Sequence, residues 1–150
     1  MKEEKGTNTK WWLDSEKRQP VRSSKCNLTG WWKNDLGSKM QVFKVDNKGN
    51  FSGMYHTAVS SAQKPIQPSP LHGSQHLDDD NQCTFGFTVN WQSFSDSTAV
   101  FVGQCFVDDK EQEVLQTAWL LREKVDHLDN DWKATRTGRN VFTRVNPKEE

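Results

Sequence analysis

The chain has 150 residues, and its 20 lysines and arginines are balanced by 20 aspartates and glutamates. That length fits one domain. The neutral balance argues against a dedicated nucleic-acid or membrane-surface protein, because both depend on a strong positive field, and no apolar run approaches the roughly 20 residues that span a bilayer. Seven tryptophans and eight phenylalanines supply much of the apolar material. We therefore expect a small aromatic core or an aromatic-lined site.

The N-terminal part of the chain differs from the rest. Residues 1–25 are charged and polar and have neither a helical nor a strand period, so we predict a disordered extension in which Trp11 and Trp12 are the only apolar feature. These residues also lack the apolar stretch of a secretion signal. We assign the folded domain to 26–146 and a charged tail to 147–150.

From Cys26 onward, turn-forming residues punctuate segments rich in Val, Phe, Thr and Trp, which is typical of many short strands. The clearest alternation runs through Phe85, Phe87, Val89 and Trp91, and no segment predicts an amphipathic helix of three turns. The predicted strands are 28–33, 39–45, 51–59, 72–77, 84–91, 98–108, 113–122 and 134–144.

Eight strands joined by short turns, such as 46–49 and 108–111, predict an all-β fold: an eight-stranded antiparallel up-and-down barrel. Closing the barrel removes unpaired strand edges, and eight strands leave an interior wide enough for one small ligand. The long connection 60–71 contains three prolines. We expect it to be no strand but a lid over the barrel mouth.

Three cysteines are present, at 26, 83 and 105, and none forms a C-x-x-C pair, which argues against a zinc or thioredoxin-like site. One disulfide plus one odd cysteine is a natural count for a secreted protein. Two N-x-S/T triplets begin at Asn27 and Asn50 and are compatible with a secretory route. The histidines and aspartates of 72–80 favour a solvated acidic loop over a metal site.

Seven segments, in one order, carry a resemblance to a known family. They are CNLTGWWKNDLGS (26–38), GMYHTAV (53–59), SPLHG (69–73), TFGFTVNW (84–91), VFVGQCF (100–106), TAWLLR (117–122) and DWKATR (131–136). Together they resemble the avidins, eight-stranded barrels that bind biotin, and most closely the animal avidins. The resemblance covers about 26–145.

The resemblance implies a set of polar partners for biotin. The ureido oxygen would accept from Asn34, Ser38 and Tyr55, and the ureido N–H groups would donate to the Thr57 hydroxyl and the Asn140 side-chain oxygen. Preorganised donors around an oxygen that gains negative character act like an oxyanion hole. Strand alternation independently places Tyr55, Thr57 and Val59 on one side of a strand.

The resemblance also implies an apolar wall and a site for the carboxylate. The wall residues would be Trp91, Phe94, Phe101 and Trp119, with Trp132 inserted from a neighbouring subunit of a homotetramer. Val59 also belongs to the implied site. The carboxylate would meet Ser60, Ser61 and Ala62, with Ser95 and Ser97 near the mouth. Cys26 and Cys105 match the family disulfide.

Four positions depart from the family pattern. Ala99 stands where animal avidins carry a threonine that contacts the thioether sulfur, and Cys83 replaces a residue other than cysteine. For Cys83, a thiol outside any disulfide and an intersubunit bridge both remain open. One tetramer interface would contain Ala118 together with the departures Thr137 and Arg139, and two facing Arg139 side chains would repel each other unless an acid pairs with them.

Two other hypotheses about the function remain. Gly30-Trp31-Trp32 satisfies the G-x-W start of a lipocalin-like carrier of small hydrophobic ligands, but only six residues follow Arg144, too few for the helix that lipocalins place there. An avidin-like structural or defence protein without biotin binding is the second. No nucleophile or acid pair is placed for catalysis, so we expect a secreted, cofactor-free binding protein and not an enzyme.

Overall fold

A computed structural model describes residues 26–57, 67–77, 82–92 and 96–145. The predicted N-terminal extension and C-terminal tail lie outside these ranges. Eight strands form a closed barrel in the order of the chain, each antiparallel to its neighbours. The strands are β1 Gly30–Asn34, β2 Lys39–Val42, β3 Asn50–His56, β4 Ser69–Gln75, β5 Thr84–Asn90, β6 Thr98–Val107, β7 Glu113–Arg122 and β8 Thr135–Arg144.

The predicted fold class is confirmed, and every predicted strand exists to within three residues at each end. A 3-10 helix, Leu128–Lys133, connects β7 to β8. Within the described ranges, no helix is long and apolar enough to cross a membrane.

The expectation that the whole of 60–71 avoids strand structure is wrong at its end, because β4 begins at Ser69 and includes Pro70. Pro70 pairs with Met54 of β3, whereas the ladder to β5 starts one residue later, at Leu71. A proline without an N–H is tolerated at the start of a strand, before both neighbours need its hydrogen bonds. The predicted lid, apart from 67–71, lies outside the described residues.

Strand alternation builds the core. On β5, Phe85, Phe87 and Val89 are buried and the residues between them face outward. The Phe87 ring stacks on Phe101 with centroids 4.7 Å apart, and on Phe85 at 6.2 Å. Gly73 permits this packing, since a Cβ there would lie 2.5 Å from the Phe87 Cβ and 2.2 Å from a backbone oxygen.

The end of the barrel where β1 begins is closed by covalent and polar links. The disulfide joins Cys26 to Cys105, as the resemblance implied. The Arg144 guanidinium lies 4.0 Å above the Trp32 ring and donates to the carbonyls of Asn27 and Thr29, which fastens β8 over the entry to β1. Buried Gln75 links the same region, accepting from Leu28 N–H and donating to the Cys26 carbonyl.

Cys83 lies in this closed end, outside the disulfide. Its carbonyl accepts from Cys105 N–H at 2.9 Å, and the residue is only 2% exposed. Its Sγ accepts from the Gln75 amide nitrogen at 3.3 Å and donates to the Cys26 carbonyl at 3.7 Å, so the buried thiol is part of the polar links at this end. Its burial argues against the intersubunit bridge, because a partner cysteine has no approach to the sulfur.

Candidate ligand-binding site

A cavity of about 230 Å³ opens at the other end of the barrel, where β1, β3, β5 and β7 finish. It is lined by Asn34, Leu36, Ser38, Tyr55, Thr57, Trp91, Ala99, Phe101, Trp119, Leu121 and Asn140. The volume is slightly below the range of about 300–1,000 Å³ for typical ligand pockets, so the cavity suits a small molecule. A mostly apolar wall with a few convergent polar groups is the usual character of such a site.

The turn between β1 and β2 fixes the orientation of Asn34. Its Oδ1 accepts from the N–H groups of Leu36 and Ser38, both at 2.9 Å. Gly37 adopts φ +92°, a conformation that glycine takes without steric cost and that closes this tight turn. With the amide oxygen held by the backbone, Nδ2 donates to the Tyr55 hydroxyl at 3.1 Å. The sequence between the two strands therefore sets a donor inside the barrel.

Tyr55 stands at the centre of the polar group. Burial raises the pKa of Tyr55 to about 12, although hydrogen bonds with Ser38 and Asn34 act in the opposite direction. The hydroxyl is therefore protonated throughout the physiological range and is able to donate. Asn34, Ser38 and Tyr55 thus bring donor groups together at one point of the cavity.

A second polar pair lies on β8 and the β1–β2 turn. Asn140 is buried, and its Nδ2 donates to Asp35 Oδ1 at 3.1 Å. Asp35 is itself tied to β8, since its N–H donates to the Val141 carbonyl at 3.1 Å. Because the Asn140 amide nitrogen already donates to Asp35, the Asn140 side-chain oxygen is the group left to accept from a ligand.

Aromatic rings form the remaining walls. The Tyr55 ring meets Trp91 edge to face at 5.2 Å and stacks on Phe101 at 5.8 Å. Trp119 lies against Gly138 of β8, where an added Cβ would come within 2.1 Å of the indole ring. The absence of a side chain at 138 therefore leaves the room that the Trp119 ring occupies.

The structure brings together eight of the residues that the resemblance implied: Asn34, Ser38, Tyr55, Thr57, Trp91, Phe101, Trp119 and Asn140. Ala99, noted as a departure, also lines the cavity. Six further residues lie outside the described ranges, namely Val59, Ser60, Ser61, Ala62, Phe94 and Ser95.

Two predicted residues lie elsewhere. Ser97 is buried, and its carbonyl accepts from Trp91 N–H at 3.2 Å, but it lines an adjacent groove with Asn90 and Lys124 and not the cavity. Trp132 lies on the 3-10 helix, is 81% exposed and does not line the cavity of its own chain.

Sequence reasoning missed three residues. Leu121 lies two positions after Trp119 on β7, so strand alternation alone would have placed both on the cavity side. Leu36 lies in the turn beside Asn34, where alternation gives no guidance. Asp35 was missed because its link to Asn140 joins residues 105 positions apart.

Comparison with known proteins agrees with this architecture. The avidin family model matches residues 22–145. Avidin from Gallus gallus is 54% identical over 131 residues, covering 87% of this chain and 86% of that protein, and avidin-related protein 1 from Gallus gallus is 56% identical over 132 residues, covering 87% and 85%.

Solved structures give the same result. A biotin binding protein from chicken is 56% identical with a TM-score of 0.75, covering 83% of this chain and all of that one. Xenavidin is 47% identical with a TM-score of 0.74, covering 81% and 99%. None of these relatives is a lipocalin, so the lipocalin-like alternative gains no support. The order of the strands, the mouth cavity and these matches establish that the chain belongs to the avidin family.

Proposed function

We propose that this protein binds biotin, tightly and without a covalent bond, in the cavity at the barrel mouth. The observation that carries the proposal is the convergence of Asn34, Ser38 and Tyr55 on one point inside an aromatic wall. A cyclic urea fits this arrangement, because it offers one strong acceptor oxygen flanked by two N–H donors. The match to a chicken structure described as a biotin binding protein supports the same ligand.

In this proposal, the ureido oxygen accepts from Tyr55, Ser38 and Asn34. Tyr55 keeps its proton because its pKa is about 12. The turn holds Asn34 by its oxygen, so its nitrogen points inward before the ligand arrives. Donors that are fixed in advance lose little conformational freedom on binding, which increases affinity.

The two ureido N–H groups then donate to the Thr57 hydroxyl and to Asn140 Oδ1. Asp35 supports this role by holding the Asn140 amide nitrogen at 3.1 Å. Trp91, Phe101 and Trp119 enclose the thioether ring and exclude water, which strengthens the polar bonds. Ala99 provides no hydroxyl for the sulfur; since sulfur is a weak acceptor, we expect a cost of about 1 kcal/mol or less.

The carboxylate tail is assigned to Ser60, Ser61 and Ala62, with the serines at 95 and 97 near the mouth, whereas Phe94 is assigned to the apolar wall. Ser97 is buried beside Trp91 in the groove next to the cavity, a position that suits the far end of a ligand leaving the mouth. Binding involves no chemical step, and the protein sequesters its ligand and is not an enzyme.

Thermal unfolding of the ligand-free protein, with and without excess biotin, tests the proposal. A ligand that binds only the native state stabilises it by RT ln(1 + [L]/Kd), so we expect the midpoint to rise by tens of degrees. The Tyr55→Phe variant serves as the matched control and should show a smaller rise. No rise in a protein whose circular dichroism shows the barrel would mean that biotin binding has been lost.

We also propose that the protein is a homotetramer in which Trp132 completes the cavity of a neighbouring subunit. Trp132 is 81% exposed at the end of its 3-10 helix, an exposure that is unfavourable for an indole ring left in water. The outer wall of β6 and β7 exposes Val100, Val102 and Leu120, a further apolar surface for subunit contact. Arg139 borders this wall and is expected to weaken a contact across a two-fold axis.

Replacing Trp132 with lysine tests this arrangement. We expect Trp132→Lys to release biotin at least about tenfold faster, equivalent to 1.4 kcal/mol, and to weaken subunit association in sedimentation experiments. Leu128→Lys is the matched control, because Leu128 is exposed on the same 3-10 helix. Equal release rates in both variants would contradict a Trp132 contribution across subunits.

Secretion is the localisation we propose. The Cys26–Cys105 disulfide supports it, since disulfides persist in oxidising compartments and are rare in the cytosol. Localisation of the full-length protein in its native cells, with the secreted fraction assayed separately, tests this assignment.

A further inference from the structure

The 3-10 helix that carries Trp132 has no apolar anchor of its own. None of its six residues is buried, and its N-cap residue, His127, makes no capping hydrogen bond with its side chain. So short a helix gains little stability from its own backbone bonds, because its first turn fixes several dihedral angles for one hydrogen bond. The direction in which Trp132 points therefore depends on contacts that other parts of the chain make with the helix.

The Arg122 guanidinium, at the end of β7, provides such a contact. Its Nη2 pairs with the carboxylate of Asp131, the residue directly before Trp132. Its Nη1 lies 3.4 Å from the hydroxyl of Thr135, the residue that begins β8. The two contacts of one planar group therefore fall on either side of Trp132 in the chain. Because the nitrogens of a guanidinium form a rigid fork, they also fix the spacing of the groups they hold.

The backbone anchors the same junction. Ala134 is fully buried, and its carbonyl accepts from Glu123 N–H at 2.9 Å. The Ala134 N–H donates in turn to the Asp131 carbonyl at 3.0 Å. These bonds hold the end of the helix beside β7, and the side chain of Arg122 then sets how the turn with Asp131 is oriented on that anchor.

The Arg122 pair differs from two other ion pairs near the mouth. Lys124 lies 3.8 Å from Asp96, and Arg136 lies 3.5 Å from Glu123. The Lys124 and Arg136 side chains are 65% and 62% exposed, whereas Arg122 is 48% exposed and has a second partner. Exposed pairs at such distances order their partners little. Arg122 is therefore the cation of this group that is best placed to orient a neighbouring segment.

We propose that Arg122 is a positioning residue, which holds Trp132 in the orientation that completes the cavity of a neighbouring subunit. Strand alternation explains how β7 serves both purposes: Leu121 lines the cavity of its own chain, and Arg122 faces outward to the 3-10 helix. The inference rests on the proposed subunit arrangement and adds to it the residue that orients the ring.

A double-mutant cycle on the full-length protein tests the inference. Arg122→Gln should release biotin about two- to fivefold faster, the range expected when a partly exposed ion pair is lost. In the Trp132→Ala background, which already releases biotin faster, the same change should have almost no further effect, because the ring that Arg122 orients is gone.

Three further variants sharpen the cycle. Asp131→Asn removes the charge at nearly constant size and should accelerate release as much as Arg122→Gln, which keeps the test valid if one variant folds poorly. Arg122→Lys should restore little, because an ammonium lacks the fork that reaches two partners. Arg136→Gln is the matched control, since it breaks a neighbouring ion pair and should leave the release rate unchanged.

Subunit dissociation in sedimentation experiments without biotin gives a readout that does not depend on ligand binding. Arg122→Gln should weaken subunit association about two- to fivefold when Trp132 is present and not when it is alanine. Equal effects of Arg122→Gln in both backgrounds would show that Arg122 acts elsewhere and would overturn the inference.

Two other results would also overturn it: wild-type release and association in Arg122→Gln, or an effect of Arg136→Gln as large as that of Arg122→Gln. If Trp132→Ala itself changed neither release nor association, the proposed subunit arrangement would fail together with this inference. A change in Trp132→Ala but not in Arg122→Gln would leave that arrangement standing and reject only the role of Arg122.

Discussion

The two ends of this barrel are made by the same eight strands and the same alternation, but they are filled differently. At the closed end, the buried rings of Phe51, Phe85 and Phe87 pack against one another. At the mouth, buried Asn34, Tyr55 and their neighbours surround a cavity of about 230 Å³. One end is a hydrophobic core, and the other is a preorganised polar site.

The difference shows how one small domain separates stability from recognition. Apolar burial is non-directional, so the closed end stabilises the fold through contact area. Buried polar groups are costly unless they are hydrogen-bonded, and the mouth meets this condition with turn N–H groups at Asn34 and with Asp35 at Asn140. We therefore expect substitutions at the closed end to reduce the free energy of unfolding and substitutions at the mouth to reduce affinity.

The largest expected loss of unfolding free energy comes from Phe87→Ala at the closed end. Phe87 is 2% exposed and stacks on Phe85 and Phe101. Removing a fully buried ring costs roughly 3–5 kcal/mol of unfolding free energy, which denaturant unfolding without biotin would measure. Thr88→Ala, the adjacent outward-facing position, should change stability by less than about 0.5 kcal/mol. Equal effects of the two changes would contradict a core at this end.

The next largest expected effect is a loss of unfolding free energy at alkaline pH, caused by Tyr55 at the mouth. Burial raises the pKa of Tyr55 from 10.0 to about 12, so the folded state holds the phenol proton more tightly than the unfolded state does. This contribution, roughly 2–3 kcal/mol, is fully present below pH 10 and is lost as the pH rises toward 12. Denaturant unfolding between these pH values should show a steeper loss in the wild type than in Tyr55→Phe.

Tyr55 is the chain's one tyrosine, which makes the titration direct to observe. In the folded protein, the ultraviolet absorbance of tyrosinate should appear near pH 12. Appearance of the band near pH 10 while the barrel remains folded would show that the hydroxyl is not desolvated.

Tyr55→Phe should also weaken biotin binding at neutral pH by about 1–3 kcal/mol, which is about 5- to 150-fold in Kd. The ureido oxygen would lose a donor in a site from which water is excluded, while the ring contacts with Trp91 and Phe101 remain. Calorimetry or competition binding measures the change. If Tyr55→Phe bound biotin as tightly as the wild type, and its unfolding free energy at pH 7 were also the same, Tyr55 would not belong to the proposed site.

Much of the fold could be predicted from the sequence, because strand alternation and turn residues are local signals. Phe85, Phe87 and Val89 alternate visibly, and they are buried as predicted. Pro70 was misassigned because its place in β4 depends on where pairing with β5 begins, which is a property of the neighbouring strand.

The candidate site was less accessible to local reasoning. Asn34 and Ser38 flank a turn, and only the family resemblance placed them in a site. Asp35 has no local pattern at all, since its role depends on the closure of β1 against β8. Residues that act through a contact distant in sequence become visible only when the barrel is closed.

The smallest expected loss of affinity comes from substituting Asp35, and it distinguishes a requirement for a hydrogen bond from a requirement for a charge at the mouth. Asp35→Ala removes the acceptor for Asn140 Nδ2, so the Asn140 amide is free to turn and its oxygen is no longer held toward the ligand. We expect affinity to fall by about 0.5–1.5 kcal/mol, the usual contribution of one such bond. Asp35→Asn keeps an acceptor oxygen at the same position and should retain most of the affinity. If Asp35→Asn lost as much affinity as Asp35→Ala, the negative charge of Asp35, and not its bond to Asn140, would be what the site requires.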